Sequence, residues 1–253
     1  MLPVDKFHPA TLDIATLCFV GLCIVALLGV FMVFAWLKER DMRALAWWGV
    51  AYLIGASAIA LWAAPEPLLP LQDEVSSALI FIACGMIWNG VRLLPGRRVL
   101  QLATFAGAVA WLILSQDSTI VANENARAVL GGIIVAGYTF FIGFELWRER
   151  RKSAYSRTAA VVVPILHAGI IVVPIIMKVF LPGPLGAHWL DLFVLEAVLY
   201  SVGTAIIVLL LVKDHHLNIH RSAAEIDHLT GLLNWRAFLD GARKFCALQR
   251  TRR

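Results

Sequence analysis

The chain has 253 residues, 60% of them apolar and 15% charged, with a formal net charge of +5 and a mean hydropathy of +0.78. Soluble domains average about 25% charged and roughly 45–50% apolar residues, so one water-borne core cannot hide this much oil and the solvent has to be lipid. The positive charge sits in short clusters between apolar runs, which signals membrane topology and excludes a continuous nucleic-acid-binding patch.

The opening "MLPVDKFHPATLD" has no basic leader. The apolar run behind it is too long for a signal peptide and ends in "FAWLKER" without a small-residue cleavage site, so it is expected to stay attached. Seven apolar segments follow, at 11–37, 44–64, 71–94, 99–115, 127–147, 158–181 and 189–212. Each is long enough to cross a hydrocarbon core of about 30 Å, the fourth being the shortest. The expected fold is therefore all-α, an integral membrane bundle of seven transmembrane helices occupying 1–212. "ALIFIACGMIWNGVRLLPGRR" and "VLGGIIVAGYTFFIGFELWRERR" resemble one another, as a duplicated hairpin or any two spans of like orientation would.

Basic residues set the orientation. The connections "KERDMR" (38–43), "RLLPGRR" (92–98) and "RERRKSAYSR" (148–157), with Lys213 and Arg221 beyond the last span, lie on one side. The opposite connections, "PEPLLP", "QDSTIVANEN" and "PGPLGAH", contain neither Lys nor Arg. Positive charge stays on the cytoplasmic side, so the N-terminus is expected outside and the C-terminus in the cytoplasm. Eight of nine tryptophans, among them Trp48, Trp88 and Trp111, fall at span ends, where indole sits at the headgroup level.

Ionisable residues inside spans are costly and are candidates for function. His167 lies mid-span between Pro164 and Pro174, where freed carbonyls surround it. It reads either as a ligand or proton sensor or as a neutral imidazole bonding a neighbouring helix. Glu196 lies about 10 Å below the outer end of the seventh span and is the second candidate sensing residue. Asp73, Glu74 and Asp191 read as wet interfacial groups or, with Arg127 and Lys178, as the lining of an outward-facing pocket. Glu145 and Asn89 lie near the inner boundary and are expected to reach water. The seventh span contains no lysine for a retinal Schiff base.

Four cysteines, Cys18, Cys23, Cys84 and Cys246, show no C-x-x-C spacing and imply neither disulfide nor zinc. His215, His216, His220 and His228 cluster beyond the last span; His216 and His220 have i, i+4 spacing, but a third matched ligand is missing, so no metal is expected. Residues 213–226 form a connector in which Val212, Ile219 and Ile226 are spaced by seven, which suits either a short parallel pairing with a second copy or a single helix continuing the last span.

The stretch "DHLTGLLNWRAF" then closely resembles the opening of the GGDEF domain of diguanylate cyclases, D-x-L-T-G-L-x-N-R-R. Asp227, Leu229, Thr230, Gly231, Leu232, Asn234, Arg236 and Phe238 match, and Trp235 stands where the family's first arginine is usual. Locally, Gly231 permits a sharp turn and Asn234 can cap a helix from Trp235 onward. DNA readout by a helix-turn-helix does not suit a site beside a bilayer without a further helix. The resemblance covers about a tenth of the chain. It implies a membrane sensor, a cytoplasmic signalling helix at 213–226 and, at 227–253, the first fragment of an α/β GGDEF domain. It also implies a bacterial inner-membrane location and a homodimer through the connector, with the lipid bilayer as the other partner and no nucleic acid. The complete cyclase would condense two GTP into cyclic di-GMP with Mg²⁺.

The family's metal carboxylates and G-G-[DE]-E-F turn do not occur in "LDGARKFCALQRTRR". The sequence as given is therefore expected to hold no catalytic residue, to bind no cofactor itself, and to end just inside the output domain. Its five basic residues from Arg243 to Arg253 suit an anionic inner leaflet. The alternative is a stand-alone seven-helix receptor or small-molecule transporter with a non-catalytic tail.

Overall fold

A computed structural model describes residues 14–64, 66–121, 123–149, 156–180 and 189–224, with 232, 234, 235, 238 and 239 beyond them. Every regular element among the described residues is a helix: α1 (Ile14–Lys38), α2 (Arg43–Trp62), α3 (Gln72–Leu93), α4 (Gln101–Leu114), α5 (Ser118–Val121), α6 (Glu124–Glu149), α7 (Ser156–Phe180) and α8 (Trp189–Ala224). The chain divides into two units, Met1–Ile207 and Val208–Arg253.

Among the described residues five helices are long and apolar enough to cross a membrane: α1, α2, α3, α6 and α8. Two fall short on this measure. α4 has 14 residues, about 21 Å at 1.5 Å per residue, and the described apolar stretch of α7 is Ala160–Val173. The outward surface of the first unit is itself apolar. α1 is the most apolar of these helices and is mostly exposed, whereas the less apolar α3 is half buried. In water the oiliest helix is the most buried one; the reversed order is what lipid selects. Phe19, Leu27 and Phe34 accordingly stand on the exposed face of α1, while Cys18, Val25 and Met32 turn inward.

Within the first unit α1 packs on α2, α2 on α3, α3 on α4 and α6, and α6 on α7. Small residues set two of these distances. A Cβ at Gly49 would stand 2.7 Å from Val33 Cγ2, and one at Gly85 would stand 2.5 Å from the Thr104 carbonyl oxygen, so α1–α2 and α3–α4 approach to backbone contact. The α3–α4 turn uses Gly96 at φ +79, a left-handed conformation that glycine adopts without a side-chain clash.

Trp48, Trp88 and Trp111 sit near helix ends but turn into the packing instead of the headgroup layer. The Trp48 indole N–H donates to the Ile87 carbonyl at 3.0 Å. Trp88 stacks on Phe141 at 5.1 Å, and Trp111 meets Phe81 edge-on at 5.4 Å. Phe81 and Trp111 form a core with Ala78 and Ala108, flanked by Leu130, Ile134 and Val135 of α6. Burial of these rings outweighs the interfacial preference of indole, because each adds large contact area between helices. Tyr138 of α6 ties α4 down through a different chemistry: its hydroxyl accepts from the Gly107 N–H at 3.0 Å and donates to the Ala103 carbonyl at 2.8 Å.

α8 continues from the apolar segment through Lys213 to Ala224 as one helix. "KDHHLNIHRSAA" contains neither Gly nor Pro to stop it. Beyond α8, Trp235, Phe238 and Leu239 are helical, and the Phe238 N–H donates to the Asn234 carbonyl at 3.0 Å. Trp235 and Phe238 stack with their rings 6.3 Å apart and both largely exposed. Leu232 is exposed; Asp227, Leu229, Thr230, Gly231 and Arg236 lie outside the described residues.

Candidate functional site

α7 carries two prolines within its helix, Pro164 and Pro174. Pro164 has no N–H, so the Ala160 carbonyl loses its usual i+4 donor and the helix is prone to bend just before His167. One turn of α8 faces that position. His167 Nδ1 lies 2.8 and 2.7 Å from the two carboxylate oxygens of Glu196. Tyr200, four residues further along α8, lays its ring parallel to the imidazole at 3.7 Å with an interplanar angle of 4°. The i, i+4 spacing puts Glu196 and Tyr200 on one face, one gripping the edge of the imidazole and the other its flat side.

This pair is nearly sealed. The His167 side chain is 6% exposed and that of Glu196 is 18%. Burying either charge alone is expensive, and pairing removes most of that cost. Two arrangements satisfy the geometry: Nδ1–H donating to a carboxylate, or a carboxylic acid donating to Nδ1. With an imidazolium the first is an ion pair and the second its neutral form, and the two differ only in which heavy atom carries the shared proton.

Next to the pair lies a cavity of about 360 Å³ bounded by α1, α2, α3, α6, α7 and the first half of α8. Its lining runs from Ala51 to Trp62 on α2 and from Ser76 to Ile87 on α3. Tyr52 crosses beside it, its hydroxyl donating to the Ser201 carbonyl at 2.6 Å. The Thr204 hydroxyl lies beside the phenols of Tyr52 and Tyr200, though neither it nor the Tyr200 hydroxyl meets a partner in hydrogen-bonding geometry. In the first unit α8 also packs directly on α1, where a Cβ at Gly21 would stand 2.9 Å from Val198 Cγ2, and the polar contacts join it to α2 and α7.

A second group of charges joins α3 to α6. Arg92 reaches Glu145 at 2.5 Å, and Arg97 also binds that carboxylate. Arg92 in turn donates to the Arg98 carbonyl at 3.3 Å. Asn89 ties the same turn together, accepting from the Leu100 N–H at 2.9 Å and donating to Thr104 Oγ1 at 2.8 Å and to the Gly85 carbonyl at 3.1 Å. At the other end of the two helices, Arg127 meets Glu74 at 3.1 Å. Positions 74 and 92, like 127 and 145, are about five turns apart, so α3 and α6 carry complementary charges roughly 27 Å apart on one face.

The two sensing candidates named from the sequence, His167 and Glu196, are thus brought into contact. The expectation that Glu145 and Asn89 reach water is corrected: Glu145 is 5% exposed and Asn89 is fully buried, because both are consumed in closing the α3–α4 turn against α6. Glu74 is paired and not simply wet. The side chains of Lys178, Asp191, His215, His216 and His220 lie outside the described residues, as does His228. Among the described residues no three His, Cys, Asp or Glu side chains converge as metal ligands. Sequence reading missed Tyr52, Tyr200 and Ser201; the signal available was the Glu196-x-x-x-Tyr200 spacing inside an apolar span. Comparison with protein-family models, with curated proteins and with solved structures returns no match for this chain.

Proposed function

We propose that this chain is the membrane sensory and regulatory region of a diguanylate cyclase. In this reading seven helices span the bacterial inner membrane, with the N-terminus outside and the C-terminus in the cytoplasm. The observation that carries the reading is the D-x-L-T-G-L-x-N match at 227–234, in the sequence that follows the unbroken α8. The orientation rests on the basic connections; α7, with 25 residues, is long enough to cross, and the shorter α4 completes the seven by local bilayer thinning. The catalytic chemistry, condensation of two GTP into cyclic di-GMP with Mg²⁺, belongs to the GGDEF domain that the motif opens. Two such domains must face each other, so a membrane region that sets the pairing of two α8 connectors controls rate through positioning.

The His167–Glu196 contact gives that control a physical origin. Proton transfer or loss in the pair changes what holds α8 against α7, and α8 is the helix that leads to the motif. The test is a chimera in which residues 1–226 precede a complete GGDEF domain of an active cyclase, joined at the shared D-x-L-T-G motif. Cyclic di-GMP is measured in membranes supplied with GTP and Mg²⁺. The expected result is turnover that changes several-fold in His167→Phe and Glu196→Gln. Identical turnover in the wild-type chimera, both variants and the isolated GGDEF domain would sink the proposal.

A second reading is supported by the placement of a buried His–Glu pair beside a cavity within the helices: a small-molecule transporter or stand-alone receptor. Substrate flux into vesicles containing the purified chain, abolished by Glu196→Gln, would establish transport in place of regulation.

A further inference from the structure

The cavity beside His167 has a size and a chemistry that select a ligand. A cavity of about 150 Å³ accommodates one benzene ring; at about 360 Å³ this one has room for two to three. Its lining spans some 11 residues of α2 and of α3, about 16 Å along the helix axes, so the space is long and narrow. The lining is almost wholly apolar, and the one imidazole in it, His167, already has a partner in Glu196 at 2.7–2.8 Å. No counter-charge remains for an ionic guest, and desolvating an ion there would cost several kcal/mol. Nucleotides and amino acids are excluded on the same ground, and sugars because their hydroxyls would lose water without gaining partners. Aromatic side chains bound both ends: Trp62 at one, Tyr52, Tyr200 and His167 at the other. Aromatic walls reward flat rings by stacking and edge contacts, which a saturated chain cannot match.

We propose that this cavity is a binding site for an uncharged, lipophilic compound of two to three planar rings, taken up from the membrane. Such a guest would lie against Gly55 and Ala58 of α2 and Ala197 of α8 and end beside the imidazole. Filling the space adds packing between the first half of α8 and α1, α2 and α3. The inference names a ligand class for the sensing region proposed above, but it stands on the cavity alone. Its test reads binding, so it can fail while the cyclase reading survives, and the reverse.

The experiment uses the full chain in lipid nanodiscs at neutral pH, with tritiated 1-naphthol as the probe and protein-free nanodiscs as background. The expected result is saturable binding of one probe per chain. Two substitutions fill the cavity from opposite walls, Gly55→Leu and Ala197→Leu. A Cβ at Gly55 meets nothing nearer than Val25 Cγ1 at 3.9 Å, so the larger side chain enters the cavity without displacing backbone. Each raises the Kd at least tenfold, while Gly137→Leu, where an added Cβ meets nothing within 4 Å, leaves it unchanged. Competition on the unaltered protein decides independently of any folding defect. 1-Naphthol is displaced by neutral naphthalene compounds, and at least tenfold less well by 1-dodecanol or naphthalene-2-sulfonate. Absence of a saturable component, indifference to both filling variants, or equal displacement by dodecanol or the sulfonate overturns the proposal.

Discussion

The two ion-pair groups that join α3 to α6 differ in burial, and this difference predicts unequal effects of removing their carboxylates. Glu145 is 7% exposed at its side chain and holds two guanidinium groups, Arg92 at 16% and Arg97 at 22% exposure. Glu145→Ala strands two like charges at a nearly dry site, and breaking a buried pair in this way costs about 3–5 kcal/mol. Arg97 sits in a turn and can swing outward, so the lower end, about 3 kcal/mol, is expected; that is roughly a 150-fold loss in folding equilibrium. Glu74 meets Arg127 at 3.1 Å through one contact, with 18% and 24% exposure. Glu74→Ala should therefore cost nearer 1 kcal/mol, in the range of partly solvated pairs. The assay is reversible unfolding in mixed micelles of rising dodecyl sulfate fraction, followed by helical circular dichroism. A triple variant, Arg92→Met with Arg97→Met and Glu145→Leu, should recover to within about 1 kcal/mol of wild type, because the cost lies in stranding charge. Equal effects of the two alanine variants, or a triple variant worse than Glu145→Ala, would refute the reasoning.

Asn89→Ala removes close bonds at 2.8 and 2.9 Å from a fully buried side chain, and a loss of about 2–3 kcal/mol is expected in the same unfolding assay. Gly85→Ala drives a methyl to within 2.5 Å of the Thr104 carbonyl, so it should destabilise by at least about 1–3 kcal/mol. Gly137→Ala, in the interior of α6 with open space around it, should stabilise by up to about 1 kcal/mol through helix propensity, and a melting curve distinguishes the two signs. Tyr138→Phe leaves the Gly107 N–H without the phenol and should cost about 1–2 kcal/mol while leaving helix content intact.

The helices themselves are written openly in the sequence, since each apolar run is bounded by charge, glycine or proline and the observed ends fall within a few residues of those marks. The unbroken α8 is legible for the same reason, as nothing from Lys213 to Ala224 interrupts a helix. The exceptions are informative. α5 arises in a stretch expected to be loop, where the Ile120 N–H finds the Asp117 carbonyl at 3.0 Å. Glu145 and Asn89 look wet in the sequence because distance along the chain to a basic cluster gives depth but not rotation about the helix axis. Whether a carboxylate near the boundary faces lipid, water or another helix depends on a partner 53 residues away, and no local pattern encodes that partner. His167 and Glu196 were each identified from cost alone, since an ionisable group in an apolar span needs a reason to be there. Their contact, 29 residues apart on consecutive helices, depends on how α7 and α8 are turned, and composition is silent on rotation.

The placement of the Tyr138 hydroxyl between Gly107 and Ala103 has a kinetic consequence. A helix normally guards its own amides, and the rate at which one exchanges with solvent reports the opening of that helix alone. Here the Gly107 amide, inside α4, is guarded by a phenol from α6 as well. Its exchange therefore records the departure of α6, and α4, too short to hold fourteen residues in order by itself, opens and closes with its neighbour as one cooperative block.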